Sequence, residues 1–161
     1  MPDNALIDAF LRQHWPAKQA RSVLAIGAGS PTIAALCAEL SPQATLTEKP
    51  QADQLAFDAP FDCAILHGAL EEISIDAGSV LIAQLRDLHC QRLLVTLQNG
   101  GATPWTEKSL RALGLSRTAV TDLECGTFVL YEFSLSDYKT TPNWLNRNHW
   151  ANPDNWDKFR W

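Results

Sequence analysis

An α/β fold is predicted for this chain: a mostly parallel sheet with helices on both faces, closed by a C-terminal antiparallel hairpin. Three observations carry the prediction. The runs Val23-Leu24-Ala25-Ile26, Phe61–Leu66 and Arg92–Leu97 are short and mainly apolar, as strands buried on both faces are. Helix-period segments alternate with them, and that alternation calls for parallel strands joined by helical crossovers. The last two strand-like segments, Arg117–Leu123 and Thr127–Leu135, flank Glu124-Cys125-Gly126, a glycine-containing connection short enough for a hairpin.

Each element has a local cause. Asp3 is placed to cap a first helix in which Leu6, Ile7, Phe10, Leu11 and Trp15 recur at helical spacing. Pro16 stands where that helix should stop. Ser22–Ile26 reads as the first buried strand. Ser30-Pro31 supplies an N-cap and a first-turn proline for a helix carrying Ile33, Leu36, Cys37 and Leu40. Ala44–Thr47 is a short second strand closed by Glu48, and residues 49–60 are polar and proline-flanked, with little room for regular structure. After the strand Phe61–Leu66, Asp76 or Ser79 caps a helix whose Leu81, Leu85 and Leu88 share a face. Arg92–Leu97 ends at Asn99-Gly100-Gly101. Thr103-Pro104 opens one more helix, and Gly114 is its C-terminal stop.

Composition bounds the function. A chain of 161 residues, 46% hydrophobic and 19% charged, is a globular domain rather than a disordered segment. A net charge of -5 argues against a nucleic-acid surface built on bulk electrostatics. Cys37, Cys63, Cys90 and Cys125 are far apart and form no metal-ligand cluster, so no metal is expected. No basic region followed by an apolar stretch marks a signal peptide, and no apolar run reaches the ~18–20 residues that span a bilayer. A cytoplasmic location is the expectation.

The candidate site begins at Gly27 and Gly29. In an open parallel sheet, ligands bind beyond the carboxyl ends of the strands where the strand order reverses, and glycine lets the backbone approach them. The competing reading of these glycines is a tight strand-to-helix turn. A nicotinamide cofactor would ask for glycine at position 32, which is Thr32. Glu48, 21 residues after Gly27, stands where a carboxylate accepts hydrogen bonds from ribose hydroxyls, and is otherwise an exposed strand-end carboxylate.

These segments resemble the class I S-adenosylmethionine-dependent methyltransferases, a Rossmann-like family. Val23–Gly29 is similar to the family's first strand and glycine turn, and Phe61–Ile73 to its fourth strand, the loop at the cofactor and a helix holding a Leu-Glu pair, here Leu70-Glu71. Leu93-Leu94-Val95-Thr96 resembles the fifth strand, and the hairpin resembles the sixth and seventh. The resemblance covers roughly residues 20–135 and implies S-adenosylmethionine as cofactor. Gly27, Gly29 and Glu48 would hold it, and His67, at the end of the fourth-strand match, would face the reacting centre. His67 is then a candidate general base near neutral pH, or else a structural strand-end histidine.

The chain departs from the family at that site. Ala25 stands where the family carries an acid two positions before the first glycine, and Ser30 replaces a third glycine. The 12 residues between Glu48 and Phe61 are too few for a crossover and a strand, so the family's third strand and its preceding helix read as missing. No Asn-Pro-Pro-aromatic signature of amino-methylating members is present, nor a Gly-x-Ser-x-Gly elbow, a P-loop or a His-Glu-x-x-His pair. The departures point to a degenerate, non-catalytic module acting through protein interaction; the alternative is an S-adenosylmethionine-binding methyltransferase.

Residues 1–135 therefore read as the α/β domain and 136–161 as a separate tail. Four of the six tryptophans, Trp144, Trp150, Trp156 and Trp161, lie in that tail, interleaved with asparagines and without hydrophobic period. Such residues do not stay exposed. The tail packs on its own domain, docks on a protein partner or a second subunit, or forms a lid over a ligand pocket.

Overall fold

In a computed structural model of the chain, residues 2–15, 20–27, 31–40, 45–47, 60–99, 103–124, 126–138 and 155 are described. The strands β1 (Val23–Ile26), β2 (Thr45–Thr47), β3 (Phe61–Leu66), β4 (Cys90–Asn99), β5 (Ser116–Leu123) and β6 (Gly126–Ser134) form one sheet in the order β2-β1-β3-β4-β6-β5. The first four run parallel; β6 is antiparallel to both β4 and β5. This is the mixed sheet the sequence predicts. Among the described residues β2 is the outer strand on its side, and the missing third strand concerns residues 49–60, of which only Pro60 is described.

Strand alternation builds two cores. Val23, Ala25, Cys63, Ile65, Leu94, Phe128 and Leu130 face α1 (Pro2–His14) and α2 (Pro31–Leu40), packing with Phe10, Leu11, Trp15, Ile33 and Leu36. Leu24, Ile26, Ala64, Leu66, Leu93, Val95, Val129 and Tyr131 face α3 (Ile75–Gln84) and α4 (Glu107–Ala112). Because both faces are covered, β1 is buried at every residue, which is why its sequence is uninterrupted apolar. No helix among the described residues is long and apolar enough to cross a membrane.

Several boundaries differ from the sequence expectation for identifiable reasons. α1 starts at Pro2, whose missing N–H costs nothing in a first turn, so Asp3 lies inside the helix rather than capping it. The cap of α3 is Ser74, whose Oγ accepts the Ala77 N–H at 3.3 Å; Asp76 lies in the first turn, and Ser79 Oγ donates back to Ile75 O at 2.7 Å. Leu88 does not share the face of Leu81 and Leu85. The helix widens into a π turn at Leu85–His89, which rotates Leu88 outward to 66% exposure. Leu70-Glu71 opens a single 3₁₀ turn, Leu70–Glu72, instead of a helix.

α4 begins later than Thr103-Pro104. Thr106 and Ser109 form a reciprocal capping box, each side chain accepting the other's backbone N–H at 3.2 and 3.0 Å. Its end is as expected. Gly114 adopts φ 85, its N–H donates to Arg111 O at 3.0 Å, and the Leu115 N–H donates to Leu110 O at 3.1 Å. The last element, α5 (Leu135–Tyr138), straddles the expected boundary at residue 135, so the first residues of the tail are a helical turn.

Candidate functional site

The strand order reverses between β1 and β3. From β1 the chain passes outward to β2, and from β3 it passes the other way to β4, so the carboxyl ends of β1 and β3 form the topological switch point. Gly27 follows β1 and His67-Gly68 follows β3. The structure thus brings two of the predicted site residues, Gly27 and His67, side by side. The other two, Gly29 and Glu48, lie outside the described residues, as does Ser30.

Gly27 is glycine for a reason visible here. Its φ is +98, and a Cβ would fall on the backbone carbonyl oxygen of His67, with the carbonyl carbon 3.0 Å away. The His67 N–H donates to Ile26 O at 3.0 Å, which holds the two strand ends this close. The tight-turn reading of the glycine therefore has a structural cause of its own. Gly68 is different: its φ is +64 and, among the described residues, nothing lies within 4 Å of a Cβ built on it, so the described structure leaves space beside the end of β3.

The His67 ring is half-buried on the α1 side of the sheet. Its Nδ1 lies 2.9 Å from Thr96 Oγ1, and that oxygen lies 3.3 Å from Leu66 O. The edge of Phe128 packs on the ring at 5.9 Å between centroids, and Phe128 meets Phe10 of α1 at 5.6 Å. Burial pushes the imidazole down to about 4 from the ordinary 6.5. At neutral pH the ring is therefore uncharged and a weak base. Such a ring is less basic than one poised near neutrality.

The rim of the crevice is tied down by contacts that sequence reasoning did not find. Trp105, in the segment before α4, is buried and donates Nε1–H to Leu70 O at 3.1 Å, joining the connections that follow β3 and β4. Glu71 Oε1 accepts the Gln98 N–H at 3.3 Å. Thr96 is the one buried polar residue among the described core, and its trace in the sequence is a hydroxyl inside Leu93-Leu94-Val95-Thr96-Leu97. Trp105 and Phe128 left no comparable trace, since an aromatic at core spacing is ordinary.

Two residues of the matched segments serve packing and strand pairing. Ala25 is fully buried between the sheet and α1–α2, in the core rather than at a ligand. Asp62, the acid that follows Phe61, sits at the amino end of β3. Its Oδ2 accepts the N–H of Arg21 at 2.7 Å and of Ser22 at 3.1 Å, and the Asp62 N–H donates to Ser22 Oγ at 2.9 Å. The backbone N–H groups of Ser22 and Arg21 hold this carboxyl below the usual carboxylate range. Asp62 is a clip that sets β1 beside β3.

At the opposite, amino end of the parallel strands, a cleft of about 560 Å³ is lined by Asp62, Arg92, Glu132, Ser134, Leu135 and Asp137, among others. Arg92 and Glu132, both in its lining, form an ion pair at 2.6 Å between the neighbouring strands β4 and β6. Leu88 and Leu135 line a second cleft of about 600 Å³ beside it. Among the described residues no three His, Cys, Asp or Glu side chains gather as a metal site.

The architecture is that of the S-adenosylmethionine-dependent methyltransferases. A methyltransferase of this class from Archaeoglobus fulgidus superposes with a TM-score of 0.60 at 13% identity, covering 80% of this chain and 93% of that one. The N-methyltransferase NodS from Bradyrhizobium japonicum gives 0.58 at 13% identity, over 82% and 96% of the two chains. Magnesium protoporphyrin IX methyltransferase from Synechocystis, solved with bound S-adenosylmethionine, gives 0.56 at 16% identity, over 81% and 77%. At such identities the likeness is one of fold. By sequence the chain belongs to a family of unknown function, DUF6231, whose profile matches residues 1–161. No curated protein matches it.

Proposed function

We propose that the crevice between the carboxyl ends of β1 and β3 binds S-adenosylmethionine or a related nucleoside. One observation carries the reading: the switch point of the sheet is bounded by Gly27, His67 and Gly68, with no described residue within 4 Å of a Cβ at Gly68. Gly29 and Glu48 are the further residues proposed to hold the ligand. S-adenosylmethionine, when bound, supplies an electrophilic methyl group. His67 is neutral from about pH 5 upward and too weakly basic to drive proton removal from a methyl acceptor, so its part is a hydrogen bond.

Calorimetric titration with S-adenosylmethionine and S-adenosylhomocysteine tests this. Gly68→Leu is the control, because it fills the open space without entering the Gly27–His67 contact. Micromolar binding in the native chain, lost in a folded Gly68→Leu variant, supports the reading. No heat at millimolar ligand overturns it.

A second reading is a non-catalytic module that acts through protein interaction, with Trp144, Trp150, Trp156 and Trp161 as anchors on a partner or a second copy. It is favoured by the two clefts around Leu135, the residue that opens the turn leading into the tail. Truncation after Tyr138 should abolish an association seen by analytical ultracentrifugation while the core stays folded. A full-length chain that stays monomeric and binds no partner counts against it.

A further inference from the structure

We propose that Thr96 is a positioning residue: it locks His67 as the Nδ1–H tautomer, so that Nε2 accepts a hydrogen bond from a hydroxyl or N–H group of the ligand. The inference rests on the crevice reading above for the existence of a ligand, and on the geometry of three atoms for the tautomer.

Thr96 Oγ1 lies 2.9 Å from His67 Nδ1 and 3.3 Å from Leu66 O. The hydroxyl has a single proton, and the carbonyl can only accept. If that proton pointed at Nδ1, the hydroxyl oxygen would face the Leu66 carbonyl lone pair to lone pair in a buried setting. Both contacts are hydrogen bonds only when Nδ1–H donates to Oγ1 and Oγ1–H donates to Leu66 O. The ring proton is then on Nδ1, and Nε2 is left with its lone pair.

Aromatic packing on the α1 side supports this arrangement. Phe128 packs on it edge-on, and Phe128 is itself held by Phe10 of α1. Thr96 lies opposite Leu130 in β4, between apolar neighbours whose register with β6 fixes its height in the sheet. Among the described residues Nε2 has no hydrogen-bond partner, and the ring is not fully enclosed. Burial keeps the ring uncharged at neutral pH, so Nε2 stays an acceptor there. A neutral acceptor favours a ligand group that brings a proton and disfavours an anionic oxygen, whose lone pairs it would oppose.

Nitrogen NMR of the imidazole in the ligand-free native chain at pH 7 tests the lock directly. The expected spectrum has Nδ1 protonated and Nε2 bare. Thr96→Val should release the ring to the Nε2–H form that unconstrained imidazole prefers, and Thr96→Ser should restore the native pattern. A native ring found as Nε2–H, or a folded Thr96→Val variant with an unchanged pattern, overturns the proposal. In a complex with S-adenosylhomocysteine, the Nε2 resonance should move in the direction of an accepted hydrogen bond. Thr96→Val should weaken that complex about 5-fold, one neutral hydrogen bond. A saturated complex with Nε2 unmoved overturns the acceptor role. Absence of any complex counts against the crevice reading and the donor class that depends on it, whereas the tautomer lock is decided in the free protein.

Discussion

Replacing Gly27 and Gly68 by alanine, separately, discriminates two meanings of a glycine at this crevice. Both have positive φ, +98 and +64, so each alanine incurs the left-handed backbone penalty of ~1–2 kcal/mol. At Gly68 that is the whole cost, because the new methyl meets nothing within 4 Å among the described residues. At Gly27 the methyl enters the His67 carbonyl, a backbone group held by the Ile26–His67 hydrogen bond and unable to swing aside. Forcing atoms into a packed position adds ~1–3 kcal/mol, for a total of ~2–5. At about 2–4 °C per kcal/mol for a chain of this size, Gly27→Ala should lower Tm by roughly 4–20 °C and Gly68→Ala by roughly 2–8 °C. Thermal melts followed by circular dichroism measure both. Equal losses would refute the close approach of the β1 and β3 ends and, with it, the shape assigned to the crevice.

Further expectations follow from the same contacts. Gly78→Ala would add ~1 kcal/mol of helix propensity to α3, yet its methyl would run into the buried Trp105 ring. A net loss of about 1–2 kcal/mol is expected in urea melts, shrinking in a Trp105→Leu background; a gain in the native background would refute the packing. His67 titrates in the folded chain at about 4, below its ordinary 6.5, so the stability it contributes is fully present above 6.5 and lost as pH falls towards 4. The gap is worth at most about 3 kcal/mol, and His67→Gln should flatten the stability profile in that window; parallel profiles would contradict it. Asp62, held low by the Ser22 and Arg21 N–H groups, adds its own loss only as pH falls below the ordinary 3.8. Burial pushes Cys63 and Cys90 up to about 12, so both thiols should resist alkylation in the native chain and label on unfolding, as mapped by mass spectrometry.

Much of the fold is legible in the residues themselves. The limits of β3, Phe61–Leu66, coincide with the expected strand, and the end of α4 at Gly114 with the expected stop. Where the two differ, the cause is local in the helices and distant at the site. Asp76 looked like the cap of α3, and Ser74 took that place. Leu88 fits the period of Leu81 and Leu85, and the π turn removed it from their face. Of the candidate site, Gly27 and His67 were recognised as residues of interest, but not the contact between them. Thr96, 29 residues beyond His67, was recognised only as part of a strand.

What the sequence determined by itself is therefore what local physics controls: continuous apolar runs for strands covered on both faces, a glycine for a helix stop, a short link for the hairpin. Periodicity and capping act over a few residues, and the chain carries them wherever it folds. The tertiary structure alone decided which strand ends meet. The switch between β1 and β3 sets Gly27 against His67, and the register of β3 on β4 sets Thr96 beside His67 and Leu66. Those pairings follow from burying two sheet faces at once, a condition on the whole chain that no short window of sequence contains.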